Sequence, residues 1–299
     1  MKKVLLTTTA LVMTAGVAAA EVSFSGKGQV AMGQEGGADM DLSTHIDFNV
    51  AVSGAAENGV TFATSFGYDA GTEVDYNDDF EIDDAEAGTF AAGAPEVAIG
   101  FNGWTITAQN GGIADQYDGD VDNSDISLAG SIGGVAVGFS TNVTGGGATS
   151  YSVSYSAGDM TAAMQSTTDD GRTDANGADI SGAAMNISLS YKLGDVTLSA
   201  SSDNDGTLDT TNSFGVSYAM GSLTLGYTMA GDNGANMGDD YDMSVGYTAG
   251  PISASFATNE ESRTRIVAEY DLGGATAFFS SQQGGGSTEL SAMGINFAF

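Results

Sequence analysis

The chain has 299 residues, 39 acidic against 7 basic, and a net charge of −32. Such a charge repels nucleic-acid phosphates and anionic membrane faces and attracts divalent cations; solubility or a saline habitat accounts for it equally well. The absence of cysteine excludes a disulfide framework, thiol catalysis and Cys-type metal sites, while 44 Gly without a three-residue period and a hydrophobic content of 41% exclude collagen and simple disorder.

Lys2 and Lys3 precede an apolar stretch from Val4 to Val17 and the run Ala18-Ala19-Ala20. A basic start, a short apolar run and a small-residue end predict a signal peptide over residues 1–20, cleaved before Glu21, with a single β domain over 21–299. The apolar run is too short to span a bilayer as a helix, and no later stretch approaches eighteen apolar residues. Loss of Lys2 and Lys3 leaves five bases against the 39 acids, a mature charge of −34.

From Val22 onward the chain alternates with a period of two, the signature of strands whose successive side chains point to opposite faces. Val22 to Met32, Leu42 to Ser53 and Val60 to Tyr68 are the first three strands, followed by an acidic segment, Asp69 to Pro95, with little periodicity. Hairpins then follow one another. Val97, Ile99 and Phe101 run into Asn102-Gly103, a two-residue hairpin signal, and Trp104, Ile106 and Ala108 lead back out. Later tight turns fall at Gly133-Gly134, Gly158-Asp159, Gly194-Asp195, Gly221-Ser222, Gly250-Pro251 and Gly273-Gly274. The last strand, Glu289 to Phe299, puts Met293, Ile295, Phe297 and Phe299 on one face and Ala292, Gly294, Asn296 and Ala298 on the other. The pattern counts eighteen strands, several of them only seven or eight residues long.

The connections alternate in kind. One set is tight and Gly-containing; the other is longer and mostly acidic, as at Gly33 to Asp41, Gly111 to Asn123, Thr167 to Gly182 and Asp203 to Thr211. Short turns at one end and long loops at the other are the layout of a transmembrane β-barrel. Phe101, Tyr155, Tyr191, Tyr218, Tyr247 and Tyr270 recur near the tight turns, where an interfacial aromatic girdle belongs. A soluble sandwich also alternates, and it remains the competing fold.

Four short stretches carry a resemblance: the start Glu21-Val22-Ser23-Phe24-Ser25-Gly26, the hairpin from Leu42 to Tyr68, the turn Tyr270-Asp271-Leu272-Gly273-Gly274, and the end Asn296-Phe297-Ala298-Phe299. With them the chain resembles the general diffusion porins of α-proteobacteria, the Rhodobacter-type family of the Gram-negative outer membrane. The resemblance implies an all-β, up-and-down antiparallel barrel of sixteen strands, assembled as a homotrimer among outer-membrane lipid and lipopolysaccharide. It implies that the final strand is the signal read by the barrel assembly machinery, and that the amine of Glu21 and the carboxylate of Phe299 pair as the barrel closes. It also implies a loop after the fifth strand that folds inside and narrows the pore, its acids facing bases on the wall. That loop would be Gly111 to Asn123, with Asp115, Asp118, Asp120 and Asp122; the longer Asp69 to Pro95 is the alternative.

By alternation Lys27, Lys192, Arg263 and Arg265 oppose the apolar face, as do Asp47 and Glu269. A base on the lipid face would cost about 2–4 kcal/mol at mid-membrane, so these six residues are expected to line the pore. Rings of carboxylates favour cation passage, and the expectation is a cation-preferring channel for small hydrophilic solutes and ions. An outer-membrane structural protein or adhesin displaying acidic loops is an alternative, and a secreted calcium-binding β protein is another.

Signals for catalysis are weak. Ser43, His45 and Asp47 share a strand face, but residues two apart are about 6–7 Å apart along a strand, too far for a hydrogen-bonded triad. Asp118, Asp120 and Asp122 start like a calcium loop, yet Asn123 and Ala129 stand where an EF-hand needs Gly and Glu. These three aspartates, with Asp203 and Asp205, are candidates for weak calcium binding only; no cofactor is otherwise expected.

Overall fold

A computed structural model of the chain describes residues 17–36, 38–77, 82–92, 94–119, 121–143, 147–169, 182–204, 210–231, 238, 240–284 and 287–299. Most of the expected signal peptide, Asp120, Arg172 and Asp205 lie outside them.

The described residues form antiparallel strands and no helix. The first six are β1 (Val17–Glu35), β2 (Asp41–Ala56), β3 (Thr61–Asp75), β4 (Asp83–Ala92), β5 (Glu96–Phe101) and β6 (Trp104–Ala114). Next come β7 (Asp122–Ile132), β8 (Val135–Thr141), β9 (Thr149–Ala157), β10 (Met160–Thr167), β11 (Ala184–Leu193) and β12 (Val196–Asn204). The last seven are β13 (Thr210–Met220), β14 (Leu223–Gly231), β15 (Asp240–Ala249), β16 (Ile252–Asn259), β17 (Thr264–Asp271), β18 (Ala275–Gly284) and β19 (Ser287–Ala298). Apart from β4 and β5, each pairs with its neighbours in sequence, and β1 pairs with both β2 and β19, so the sheet closes on itself.

Two strands share one place in the wall. β4 pairs with the second half of β3, from Tyr68 opposite Ala92 to Asp75 opposite Asp83. β5 pairs with the first half, from Thr61 opposite Gly100 to Ser65 opposite Glu96. The break between them holds Pro95, which has no N–H to give to a ladder. Among the described residues the wall therefore has eighteen positions from nineteen strands. The count from periodicity holds, and the sixteen implied by resemblance does not. The segment Asp69 to Pro95 is not a loop: β3 continues through it to Asp75 and β4 takes up its far side.

Alternation assigns the two faces. Phe24, Val30, Ile46, Ile99, Leu189, Phe214, Val245, Ile266 and Ile295 are all exposed and share the outward parity of their strands. A continuous apolar exterior of this kind is unstable in water and suits the hydrocarbon band of a bilayer. Phe101, Tyr155, Tyr191, Tyr218, Tyr247 and Tyr270 are likewise exposed, each beside a tight turn. At the β5–β6 turn Asn102 and Gly103 adopt φ of 51° and 79°. Positive φ at both positions marks the type I′ geometry, whose twist matches the flanking strands.

The last strand closes the barrel as its pattern predicts. Met293, Ile295, Phe297 and Phe299 face outward, with Ile295 opposite Val30 and Met293 opposite Met32 on β1. Phe299 exchanges both backbone hydrogen bonds with Gly26, each 3.0 Å. Glu21 lies opposite Ser53 of β2 instead. The expected meeting of Glu21 with Phe299 is thus replaced by a Gly26–Phe299 pair, five residues further along β1.

The tight turns, Glu21 and Phe299 share one rim of the barrel, which is expected to be periplasmic. With Met40→Cys in the β1–β2 connection and Ser222→Cys in the β13–β14 turn, an impermeant thiol reagent on intact cells should label position 40 and spare position 222. Labelling of 222 alone would invert the orientation.

Candidate functional site

A closed barrel of this size encloses a lumen, and what occupies that lumen decides what passes. Inward-facing side chains are those out of phase with the apolar exterior. Many of them are buried, in two separate groups. One group covers the inner faces of β1 and β17–β19: Gln29, Ala31, Val267, Phe278, Ser280, Gln282 and Ala292. The other lies around β7–β10 and includes Ser124, Asp125, Ser140, Ser150 and Thr167. Inner wall residues of a water-filled pore should be wet, so each group marks something lying over the wall.

The first cover is the end of the β3–β4 hairpin. β3 follows β2 as far as Gly71, opposite His45. Gly71 has φ +92°, and a Cβ there would collide with the Thr44 carbonyl. Only glycine allows that close approach and that backbone angle. Beyond it β3 pairs with β4 alone and passes over β2 to the inner face of β1. The Gln29 side chain clasps the Val74 backbone, donating to its carbonyl at 3.0 Å and accepting from its N–H at 2.7 Å. Lys27 Nζ lies 2.9 Å from Glu73 Oε2, and His45 contacts Asp69 and Glu73.

Tyr76 forms the end of the seat. Its ring stacks on Phe278 with centroids 3.8 Å apart and planes 6° from parallel. Its hydroxyl donates to Glu269 at 2.8 Å and accepts from Asn296 Nδ2 at 3.0 Å, while its carbonyl accepts from Ser280 at 2.8 Å. Burial, together with the hydrogen bond to the Glu269 carboxylate, pushes the Tyr76 hydroxyl above its ordinary pKa, so it stays a donor. The half-exposed Lys27–Glu73 pair contributes about 0–1 kcal/mol. A stacked aromatic pair adds about 0.5–1.5 kcal/mol beyond its buried area, and each satisfied buried hydrogen bond about 0.5–1.5 kcal/mol. Packing and hydrogen bonds of Tyr76 and Gln29 therefore hold the hairpin down, with the charges as trim.

The second cover is the β6–β7 connection, which lies on the opposite group. Asp115 is 4% exposed and organises it, accepting from the Tyr117 amide at 2.7 Å, from Asn123 Nδ2 at 3.2 Å and from Thr167 Oγ1 at 2.7 Å. Gln116 is fixed to the wall by Ser150, Ser152 and Gln165, and the Tyr117 hydroxyl donates to Asp203 at 2.8 Å. Both candidate constriction segments thus enter the lumen, from different walls.

Between them the inner face of β12–β16 is largely uncovered. Ser199, Thr224, Thr228, Asp242 and Ser244 are exposed there, among Ser, Thr and Gly. Toward the rim with the long connections this face runs into a cavity lined by Asp240, Asp242, Glu260 and Arg265. A hydrophilic strip with one wall open is a route for water and ions.

The comparisons agree with this architecture. A family model described as Gram-negative porin matches residues 7–296. The chain belongs to the Gram-negative porin family. Solved structures similar to it include two engineered variants of the Rhodopseudomonas blastica porin. One carries five substitutions (16% identity, TM-score 0.57) and the other three (18%, 0.57); each covers 93% of this chain and 100% of its own. A structure described as asymmetric conductivity of engineered proteins is similar as well, at 17% identity and a TM-score of 0.58, with the same coverage. A search of curated proteins found no match. The porin is thus an outer-membrane β-barrel channel for passive diffusion.

The residues expected to line its pore divide. Asp47 and Arg265 do face the lumen, Asp47 beside Asp69, Glu96 and Gln109 and Arg265 near Asp242. Lys27 and Glu269 face inward but belong to the hairpin seat. Lys192 is exposed on the last turn-side residues of β11, at the mouth rather than the narrowing. Arg263 precedes β17 and pairs with Glu261 at 2.8 Å in the β16–β17 connection, so it is not a strand residue. Asp115 is buried structure, not lining. Asp118 accepts from the Val121 amide through its carbonyl, and Asp122 opens β7 opposite Ala114. Asp203 is engaged by Tyr117. His45, the one histidine, is part of the seat with Asp69, while Asp47 accepts from Asn49. Periodicity missed Tyr76, Gln29, Phe278, Gln116 and Tyr117. The adjacent pair Phe278-Phe279 was a readable sign, since one of two neighbouring aromatics on a strand must face inward.

Replacing Asp115 by Ala leaves the Tyr117 amide without its acceptor, at about 1–3 kcal/mol, while the Thr167 hydroxyl keeps the Asp169 carbonyl as an acceptor at 2.7 Å. The Gln116 and Tyr117 amides should then lose hydrogen-exchange protection while β9 and β10 keep theirs. Unchanged protection at 116 and 117 would contradict the role given to Asp115.

Proposed function

We propose that this porin conducts small hydrophilic solutes along the uncovered face of β12–β16 and prefers cations. The observation that carries the proposal is the fate of the bases. Lys27 is matched by Glu73 and Arg263 by Glu261, and Arg265 stands among Asp240, Asp242 and Glu260. Asp47, Asp69 and Glu96 line a further stretch of the lumen. The field along the passage is therefore set by carboxylates, which raise the local cation concentration.

We further propose that the channel works as a homotrimer of chains starting at Glu21, in lipid and lipopolysaccharide, placed there by the assembly machinery through the Met293–Phe299 face. Native mass spectrometry of the extracted protein should give three times the mass of residues 21–299; a monomer with residues 1–20 attached would refute both parts. Conduction is proposed to need no cofactor, calcium in the acidic connections near Asp118, Asp122 and Asp203 being at most an accessory.

The reversal potential across a planar bilayer in a potassium chloride gradient should have the sign of cation preference. It should weaken with salt, since the Debye length falls from about 30 Å at 0.01 M to about 3 Å at 1 M. A charge about 10 Å from the ion path in a water-like medium is worth about 0.4 kcal/mol, favourable to a cation and unfavourable to an anion, so Asp242→Asn should lower the cation-to-anion ratio about fourfold at low salt. A chloride-preferring potential would refute the proposal, and a conductance that vanishes in EDTA would refute cofactor independence.

A further inference from the structure

We infer that the outer wall of this porin fits a locally thinned bilayer. Over two sectors, β8–β10 and β16–β18, its apolar belt is less than half as tall as the belt over β2. The partner that matches those sectors is a phospholipid bilayer with short acyl chains.

The belt is full on one side. On β2 the outward apolar residues run from Leu42 through Ile46, Phe48 and Val50 to Val52. Ten residue steps at about 3.4 Å, tilted by about 40°, give a height of about 25 Å, that of an ordinary outer-membrane barrel. Elsewhere the run is short. It extends from Val135 to Phe139 on β8, Tyr151 to Tyr155 on β9 and Met160 to Met164 on β10. Across the barrel it extends from Ile252 to Phe256 on β16, Ile266 to Tyr270 on β17 and Ala275 to Phe279 on β18. Four steps give a height of about 10 Å.

The edge of the belt is in register from strand to strand. Toward the long connections the next outward position is a hydroxyl residue on all six strands: Thr141, Thr149 and Ser166, then Thr258, Thr264 and Ser281. Thr141 stands opposite Thr149, one step beyond the pair Phe139–Tyr151, and their hydroxyls bond each other at 3.0 Å. Thr258 stands opposite Thr264, one step beyond Phe256–Ile266. Glu260, Glu261 and Arg263 follow at once in the β16–β17 connection, so even with its threonines in hydrocarbon this sector offers only about 15 Å. The tyrosines mark the same height independently. Tyr151 and Tyr155 are 43% and 44% exposed at the two ends of the β9 run. Exposed tyrosine belongs at the headgroup level, so both headgroup boundaries close to about 10 Å over β9.

The two sectors are eight strands apart in a wall of eighteen positions. Neighbouring copies around a threefold axis lie on one side of the barrel and cannot cover both, so lipid meets at least one of them. Hydrocarbon averages about 30 Å in thickness and is thinner in the bacterial outer membrane; a belt shorter than the core is met by thinning the bilayer, at a cost that rises with each ångström of mismatch. The bilayer should therefore taper from β2 toward the short sectors, and long chains should strain the folded state.

The experiment places the full chain in monounsaturated phosphatidylcholine vesicles whose acyl chains range from about fourteen to about twenty-two carbons, which spans cores thinner and thicker than the average. The readout is the temperature at which heat-modifiable gel migration is lost. That midpoint should be highest in the shortest chains and fall at each step. The variant Thr141→Leu/Thr149→Leu/Thr258→Leu/Thr264→Leu adds one outward apolar row to each sector, and its optimum should move to a core about 5 Å thicker. Its single-channel conductance should stay parental, because the four side chains lie outside the wall. Should this variant not fold, Thr258→Leu/Thr264→Leu takes its place with a smaller shift expected. A midpoint independent of chain length, or highest in the longest chains, would overturn the inference, as would a folded variant with the parental optimum. Insertion into none of the vesicles would refute the membrane-barrel assignment and the inference with it.

Discussion

The rest of the molecule depends on one constraint: in a bilayer every backbone N–H and C=O must find its partner within the protein. A sheet meets that demand only if it has no edge, and the pairing of β1 with β19 removes the edge. The reciprocal Gly26–Phe299 bonds are where the last backbone groups are satisfied. Once closure is fixed, the two faces of every strand have different solvents. Residues such as Ile295 and Phe297 are outside in lipid, and Asn296 between them is inside. Composition follows from that division. The exterior takes the large apolar residues, and the interior takes Ser, Thr, Gly and the few charges.

The interior is then free to be specialised, because it has no part in holding the wall together. Two connections use that freedom. The β3–β4 hairpin brings its own apolar end and finds an apolar seat. The β6–β7 connection is polar and is tied down by a buried carboxylate and a row of hydroxyls. Both cover their walls, and the strip left between them on β12–β16 is the hydrophilic route. The asymmetry matters for electrostatics. Lys27, Arg263 and Arg265 each lie beside acids, and the uncovered strip carries Asp242.

Much of this was legible in the sequence because a period of two is a direct image of two solvents. The tight turns, the outward face of β19, the aromatic rim and the eighteen wall positions could all be read that way. Resemblance suggested sixteen, and periodicity was the better guide because each wall strand has to alternate for itself. Alternation failed where a segment touches neither lipid nor open water. Beyond Asp69 the residues of β3 lie between a partner strand and the inner wall, so Val74 and Tyr76 are buried beside acidic neighbours and no period survives. Asp115 misled for a related reason. Its carboxylate looks like pore lining by composition, but hydrogen bonds from Tyr117, Asn123 and Thr167, two of them from residues close in sequence, turn it inward on its own loop. Which acid of a run does this depends on contacts such as that with Thr167, which is distant in sequence.

The central claim is that the lumen is open along β12–β16 and covered over β1 and β17–β19. The absence of native cysteine allows a direct test. Single substitutions Ser199→Cys, Thr228→Cys and Ser244→Cys on the open strip are compared with Ser280→Cys under the hairpin, while a charged, membrane-impermeant thiol reagent is added during single-channel recording. Stepwise block at 199, 228 and 244, with position 280 unreactive, is the predicted result. Rapid block at 280 with no effect at the other three would place the passage on the wrong wall and contradict the account.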